Sequence, residues 1–368
     1  MFITSDPTEF KDFDFMAQNL SSLWPSIQGK NLLITGGAGM LGHYFALFPL
    51  FMNQYYEGKK THVYLLDKSF PPHHWAVLLK KNNPHLTLIE SNMMDGLEQF
   101  NLPNINWIIH AASLASPISY RRHPLNTIHA NVHAWENLLE FLRKKNNVEG
   151  ILYLSSSEIY GDPPKEMIPT PETYNGNVAP LGPRACYDES KRLGETLAWI
   201  YHEHHQLPIK ITRPFNHYGP GLLPNDGRVL ADFVKNILLN KDITIYSDGT
   251  PTRTFCYVAD AIIGHYKALL SGPVATPINI GTQDDQISIK DLASKIQLIA
   301  LKQLNYRGRV CFENPQEKYF LTHNPIHRCP DTSLAKELLN FSAQINLETG
   351  LSRYLTWCHD RHKRSGQN

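Results

Sequence analysis

The chain has 368 residues, 42% of them hydrophobic, enough to bury the core of one large domain or two smaller ones. Its 35 Lys and Arg face 34 Asp and Glu, so the formal charge of +1 supplies no global field to recruit nucleic acid or an anionic membrane, and an anionic ligand must be caught locally. Cys186, Cys256, Cys311, Cys329 and Cys358 are odd in number, widely spaced and without a CxxC pair; this argues against a disulfide framework or a zinc site, and no metal is expected.

Residues 1–28 carry Asp6, Glu9, Lys11, Asp12 and Asp14 ahead of any apolar run, unlike a signal peptide, and read as a short N-terminal extension of a cytoplasmic chain. The stretch "HYFALFPLFM" is too short to span a bilayer. Apolar runs such as "NLLITGG", "THVYLLDK", "LTLIES", "INWIIHAAS" and "GILYLSSS" then alternate with helix-like segments, which predicts an α/β fold of βαβ units around a doubly wound parallel sheet. Residues 161–184 are rich in Pro and Gly and aperiodic, a long loop of the kind that is often functional. "YDESKRLGETLAWIYHEHHQ" has helical spacing, with Leu193, Leu197 and Ile200 on one stripe, and "IKITRPFNHYGP" returns as a strand. Beyond Gly219 the pattern becomes irregular, as expected of a smaller C-terminal lobe. The division expected is an extension at 1–28, a nucleotide-binding domain at 29–214 that also receives 254–282, and a substrate lobe built from 215–253 and 283–368.

"LLITGGAGMLGHYF" sets Gly36, Gly39 and Gly42 after an apolar strand and at the start of a helix, with Gly37 completing a GxGxxG spelling. Glycines there allow a tight turn and bring backbone amides and a helix N-terminus to a pyrophosphate. A glycine pattern alone is weak, but the flanking strand and helix strengthen it. Asp67 ends "VYLLD", where a carboxylate can accept from both ribose hydroxyls and repels a 2′-phosphate, pointing to NAD rather than NADP. It lies 25 residues past Gly42, somewhat beyond the usual spacing of about 20, and a turn-capping Asp is the structural alternative.

Tyr187 and Lys191 in "ACYDESKR" stand four apart and share one helical face, so the ammonium can lower the phenol pKa and make Tyr187 a base toward a hydroxyl. With 17 tyrosines a YxxxK match is cheap by itself. Its company gives it weight: the glycine turn upstream and Ser156, at a strand end 31 residues before Tyr187.

TGxxGxxG followed by a hydroxyl, a Tyr and a Lys resembles the extended short-chain dehydrogenase/reductase family, which implies a Rossmann-type fold with a smaller C-terminal α/β substrate-binding lobe, NAD, and a nucleotide-sugar substrate. Within it, Ser156 with Glu158 resembles the UDP-glucuronate decarboxylase (UDP-xylose synthase) group, and "LASPISYRRHPLNTIHAN", "GPRACYDESKR", "FNHYGP", "NDGRV", "TRTFCYVAD" and "HRCPD" match in order from about residue 30. Asn92 stands where that group usually has an adenine-contacting Asp.

The resemblance implies that Ser156, Glu158, Tyr187, Lys191 and Arg328 are catalytic. Tyr187 would take the C4 hydroxyl proton while C4 is oxidised, with Ser156 holding that oxygen and Lys191 the ribose, and Glu158 and Arg328 working at C5 as carbon dioxide leaves. The cofactor would be held by Gly36, Gly39, Met40, Leu41, Gly42, Asp67, Asn92, Met93 and Ala111, together with Tyr187 and Lys191. The sugar nucleotide, a UDP-sugar by resemblance, would meet Ser116, Tyr120, Asn216, Arg228, Tyr246 and Arg253, the arginines suiting phosphate oxygens. The family pairs the helix around "NTIHANVHAWENLLEFLRKK" with the one bearing Tyr187 at a homodimer face; an ordinary sheet-covering role for these stripes is equally open. Two other readings stand beside the decarboxylase: a nucleotide-hexose 4,6-dehydratase or epimerase using the same C4 oxidation, and a non-catalytic NAD-binding protein. Ser157, where a dehydratase carries Asp, weighs against dehydration, though a water can stand in for that acid, and leaves the epimerase open; Ser156, Tyr187 and Lys191 together weigh against the non-catalytic reading.

Overall fold

A computed structural model describes residues 4–100, 102–314, 322 and 324–365. The apolar runs form strands β1 (Asn31–Thr35), β2 (His62–Asp67), β3 (Leu86–Glu90), β4 (Trp107–His110), β5 (Gly150–Leu154) and β6 (Ile209–Pro214), joined by Pro277–Ile280. Their order is β3-β2-β1-β4-β5-β6 followed by Pro277–Ile280, and every neighbouring pair is parallel. This is the Rossmann-type sheet expected. β4 and β5 are buried along their whole length, because helices cover both faces and the strands have no need to alternate.

Side chains alternate between two cores. On one face Leu33, Leu66, Ile108 and Tyr153 meet Trp135, Leu138 and Ala198 of the helices Ala134–Leu142 and Ala185–His205. On the other, Ile34, Leu65 and Leu152 pack with Phe45 and Phe48 of α2 (Met40–Tyr55) and with Ile262 and Tyr266 of the helix Val258–Ser271. Of the stripe, Leu197 packs part-buried against the sheet's core, whereas Leu193 and Ile200 are 45% and 36% exposed; the buried side of that helix is Ser190, Lys191, Gly194, Ala198 and Tyr201. Gly194 is what lets the helix close on β5, since a Cβ there would lie 1.8 Å from the Tyr153 hydroxyl.

The smaller lobe holds the helices Val229–Leu238 and Ile289–Leu304, the strand Ile243–Ile245 paired with Val310–Phe312, and a three-stranded sheet in which Thr252–Arg253 lies between Ile287–Ser288 and His327–Arg328. Between these parts the chain returns to the main sheet through Val258–Ser271 and Pro277–Ile280. Among the described residues no helix is long and apolar enough to cross a membrane.

The segment read as an extension contains a packed helix, α1 (Pro7–Leu20). Asp6 caps it by accepting from the amides of Thr8 and Glu9 at 2.9 and 3.3 Å. Phe13, Met16, Ala17 and Leu20 at helical spacing are buried in the core shared with α2 and Val258–Ser271. Two acids on the same helix are buried as well. Asp12 accepts from the hydroxyls of Tyr44 (2.8 Å) and Tyr257 (2.7 Å) and from the Arg353 guanidinium (2.7 Å). Glu9 bonds His43 Nε2 and the Trp357 indole, both at 2.9 Å. The acids are visible in sequence, but apart from Thr4, which donates to Glu9 at 2.7 Å, the partners named here lie 32 to 348 residues away and no local pattern announces them.

Replacing Asp12 by Ala leaves two buried phenols and a guanidinium without their acceptor. The expected cost is on the order of 3 kcal/mol in urea unfolding. Asp12→Asn, which still offers an oxygen to the tyrosines, is expected to lose less, and equal losses for both variants would contradict this account of the hub.

Candidate active site

The sheet order reverses at β1, which lies between β2 and β4, so the connections on either side of it leave a crevice at the strands' carboxyl ends. A cavity of about 1070 Å³ opens there, floored by Gly36, Ala111, Leu154 and Pro214 from the ends of β1, β4, β5 and β6 and roofed by the smaller lobe.

At one end is the glycine turn. Gly36 has φ +73°, and a Cβ on it would lie 2.6 Å from the Ala112 amide nitrogen. A Cβ on Gly42 would stand 2.5 Å from the Gly36 carbonyl, so both positions exclude a side chain. Gly39 is the N-cap of α2 and makes no side-chain capping bond, which leaves the first-turn amides of a 16-residue helix available to an anion beside the cavity. Met40, Leu41 and Ala111 line the cavity as well. Asp67 accepts from the amides of Ala38 (2.8 Å) and Lys68 (2.7 Å), with burial pushing its carboxyl up against those bonds. Asp67, Asn92 and Met93 do not line the cavity: Asn92 begins the short turn Met93–Asp95, and Met93 is buried in the core. A cradle that a Cβ would fill, an uncapped helix N-terminus and an acid fastened beneath the turn fit a dinucleotide.

In the middle of the cavity, Ser156 leaves β5 in extended backbone, its Oγ accepting the Glu158 amide at 3.2 Å. Tyr187 comes up beside it from the helix Ala185–His205. Burial pushes the Tyr187 phenol up, to about 12, and a hydrogen bond with Ser156 works against that rise. Lys191, one turn along, donates to the Leu154 carbonyl at 2.8 Å and lies 6.0 Å from the Tyr187 ring centre. Burial lowers its ammonium to about 7. The structure therefore brings Ser156, Tyr187 and Lys191 together.

At the far side Glu158 occupies the turn Ser157–Tyr160 between two arginines. Arg328 grips it with both terminal nitrogens, and Arg184 binds the same carboxylate from the other side. Burial pushes the Glu158 carboxyl up, but the charges of Arg184 and Arg328 outweigh burial and hold it down at about 2. Arg253 lines the same end, its guanidinium turned to the carbonyls of Thr252 and Pro325 at 2.7 Å, and burial followed by repulsion from Arg328 lowers it to about 9. Two guanidiniums thus bind the cavity-lining carboxylate of Glu158, and the charge of a third, Arg253, is felt there as well. Tyr120 stacks on Tyr187 with ring centres 5.1 Å apart, its hydroxyl buried without a partner among the described residues.

The remaining sugar-nucleotide candidates line the cavity too. Ser116 donates to the Asp226 carbonyl at 2.6 Å, Asn216 to Thr254 at 3.0 Å, and Arg228 pairs with Asp226 at 2.9 Å; Tyr246 lies on the smaller lobe's wall. Arg184 escaped the sequence reading although it lies within "GPRACYDESKR". The available signal is its place three residues before Tyr187, one helical turn from the base. Asp188, 3.5 Å from Arg184 and pushed up to about 7 by burial and by the Glu158 charge, was likewise missed.

Residues 32–281 match the model of the NAD dependent epimerase/dehydratase family. The chain is 35% identical over 320 residues to UDP-glucuronic acid decarboxylase 3 of Arabidopsis thaliana, covering 87% of this chain and 86% of that protein. It is 32% identical to UDP-glucuronic acid decarboxylase 1 of Xenopus tropicalis, over 88% of this chain and 71% of the relative. Among solved structures, a UDP-glucuronic acid 4-epimerase from Bacillus cereus in complex with UDP-glucuronic acid and NAD superposes with a TM-score of 0.74 at 24% identity, over 90% of this chain and 99% of that one. A dTDP-glucose 4,6-dehydratase from Bacillus anthracis in complex with NAD superposes at 0.73 with 22% identity, over 91% and 98%.

Because burial depresses Lys191 from 10.5 to about 7, the unfolded chain holds a proton between those pH values that the folded chain has released. Stability of the NAD-free protein should therefore rise with pH across that window. Lys191→Met, neutral at every pH, should flatten this rise and stabilise the NAD-free protein at pH 7 by on the order of 1 kcal/mol, read as a higher urea midpoint. Parallel pH profiles for the two proteins would contradict the buried charge.

Proposed function

The chain belongs to the NAD-dependent epimerase/dehydratase family and uses NAD, and from that premise we propose that it is a UDP-glucuronate decarboxylase producing UDP-xylose. The observation that carries this reading is the cluster of three arginines, Arg184, Arg328 and Arg253, against only two carboxylates, Glu158 and an Asp188 that burial and the Glu158 charge push up to about 7. Such an excess of buried positive charge is costly unless an anion joins it. The phosphates of a sugar nucleotide have Arg228 and a helix N-terminus on the other wall. A second anion at the sugar end is what a uronate brings and a neutral hexose does not.

Ser156 holds the C4 oxygen, and Tyr187 takes its proton as the neighbouring Lys191 charge lowers the phenol from its ligand-free value. NAD, when bound, supplies the oxidising and then the reducing equivalent at C4, so no net oxidation results. A 4-keto sugar with a carboxylate on C5 is a β-keto acid; its C5–C6 bond breaks, carbon dioxide leaves, and the electron pair remains as an enolate that is protonated at C5. Arg184 and Arg328 hold the departing carboxylate, and Glu158, already ionised, orients the water that returns the proton.

The same ionisation weighs against a dehydratase. Elimination of water needs a proton donor beside the C6 hydroxyl, but Glu158 is kept at about 2 and its neighbour Ser157 is no acid. A homodimer joined through the exposed face bearing Leu125, Leu193 and Ile200 belongs to this proposal, since these residues are left uncovered by the sheet.

Incubation of the protein with NAD and UDP-glucuronate should yield UDP-xylose and carbon dioxide without accumulating NADH, as read by mass spectrometry and absorbance. Tyr187→Phe should fall on the order of 10²-fold or more in turnover while still binding NADH. Arg184→Ala should weaken UDP-glucuronate far more than UDP-glucose. Formation of UDP-galacturonate, or loss of water from a UDP- or dTDP-hexose, would replace the decarboxylase reading with the epimerase or dehydratase.

A further inference from the structure

The nucleotide end of the cavity contains an acid to which nothing above assigns a task. Asp232 lines the cavity on the first turn of the helix Val229–Leu238. Its amide donates to the Arg228 carbonyl at 3.0 Å, which places it one helical turn beyond that arginine. Its carboxylate accepts no hydrogen bond and joins no ion pair among the described residues. Burial pushes it up to about 6, with the Lys235 charge working against the rise and Asp226 adding to it. A half-buried carboxylate that faces a cavity without a protein donor is free to accept from a ligand's donor there.

Position narrows what that donor is. Arg228 is the N-cap of this helix and makes no side-chain capping bond, so the helix N-terminus and the guanidinium together suit a diphosphate. A carboxylate one turn further in is set away from the phosphates, toward the nucleoside. The smaller lobe's wall of the cavity carries Val229, Phe233, Ile245, Tyr246, Pro251 and Ile289, with the polar Thr244, Ser247 and Asp248 among them. Such walls suit a flat base.

We propose that Asp232 is the base-reading residue of this site, accepting the ring N–H of a nucleobase that has one, as uracil does at N3. A carboxylate only accepts, so it rejects a base that turns a bare ring nitrogen to it, as cytosine does at N3. The inference rests on the nucleotide-sugar reading and selects uridine over cytidine within it.

The test is calorimetric binding of UDP, CDP and 2′-deoxy-UDP to the NAD-loaded protein and to its Asp232→Asn variant, with NADH binding and thermal unfolding reporting that the variant is folded. The wild-type protein should prefer UDP to CDP by roughly tenfold to a hundredfold, the range of one hydrogen bond to a charged acceptor. Asparagine, which both donates and accepts, should collapse most of that ratio. An unchanged UDP-to-CDP ratio in the variant overturns the proposal. So does a variant that alters the UDP-to-2′-deoxy-UDP ratio instead, which would assign Asp232 to the ribose. Failure of the decarboxylase reading shows separately, as a wild-type protein that binds UDP selectively yet leaves UDP-glucuronate intact.

Discussion

Every strand of the main sheet runs in the same direction, and both faces of that sheet are buried. The constraint leaves the line of carboxyl ends as the place where backbone groups and side chains emerge together into a crevice. The glycine turn follows β1, Ala111 follows β4, Ser156 and Glu158 follow β5, and Asn216 follows β6, so residues scattered over 180 positions converge without long-range pairing between them. The smaller lobe then needs only to lie over this edge to enclose a site.

Inside the enclosure, charges are kept in states that solvent would not favour. Lys191 is buried near its neutral point, Glu158 is ionised in a closed environment, and Arg253 is crowded by Arg328. Each costs folding free energy, which the apolar cores on the two faces of the sheet offset. The distribution is uneven in a useful way: the costly groups lie at the strand ends, and the aliphatic and aromatic packing lies behind them.

Much of this was legible in the chain. "NLLITGGAGMLG" announced strand, turn and helix because each of Gly36 and Gly42 has a steric reason that no other residue meets. Tyr187 and Lys191 were legible because a four-residue step is geometry as well as sequence. Three features were not. Arg184 has no spacing signature of its own, and its meaning comes from Glu158, which reaches it only through the tertiary fold. Leu193 and Ile200 have the right period for a core stripe but lie on the outer side, because Gly194 turns the other face of the helix against β5. Asp67 is fastened to the amides of the turn, the capping use that stood open beside a ribose contact, and spacing alone does not separate the two.

The two termini meet at α1. Through Glu9 and Asp12 this helix is bonded to His43 and Tyr44 at the start of the dinucleotide helix, to Tyr257 at the junction with the smaller lobe, and to Arg353 and Trp357 near the other end of the chain. The dinucleotide helix, the strand Cys256–Tyr257 and the helix Leu347–Ser365 cannot part from one another without uncovering the same two buried carboxylates. Elements far apart in the chain are thereby tied through one short helix, so that loosening any of them exposes charge as well as apolar surface.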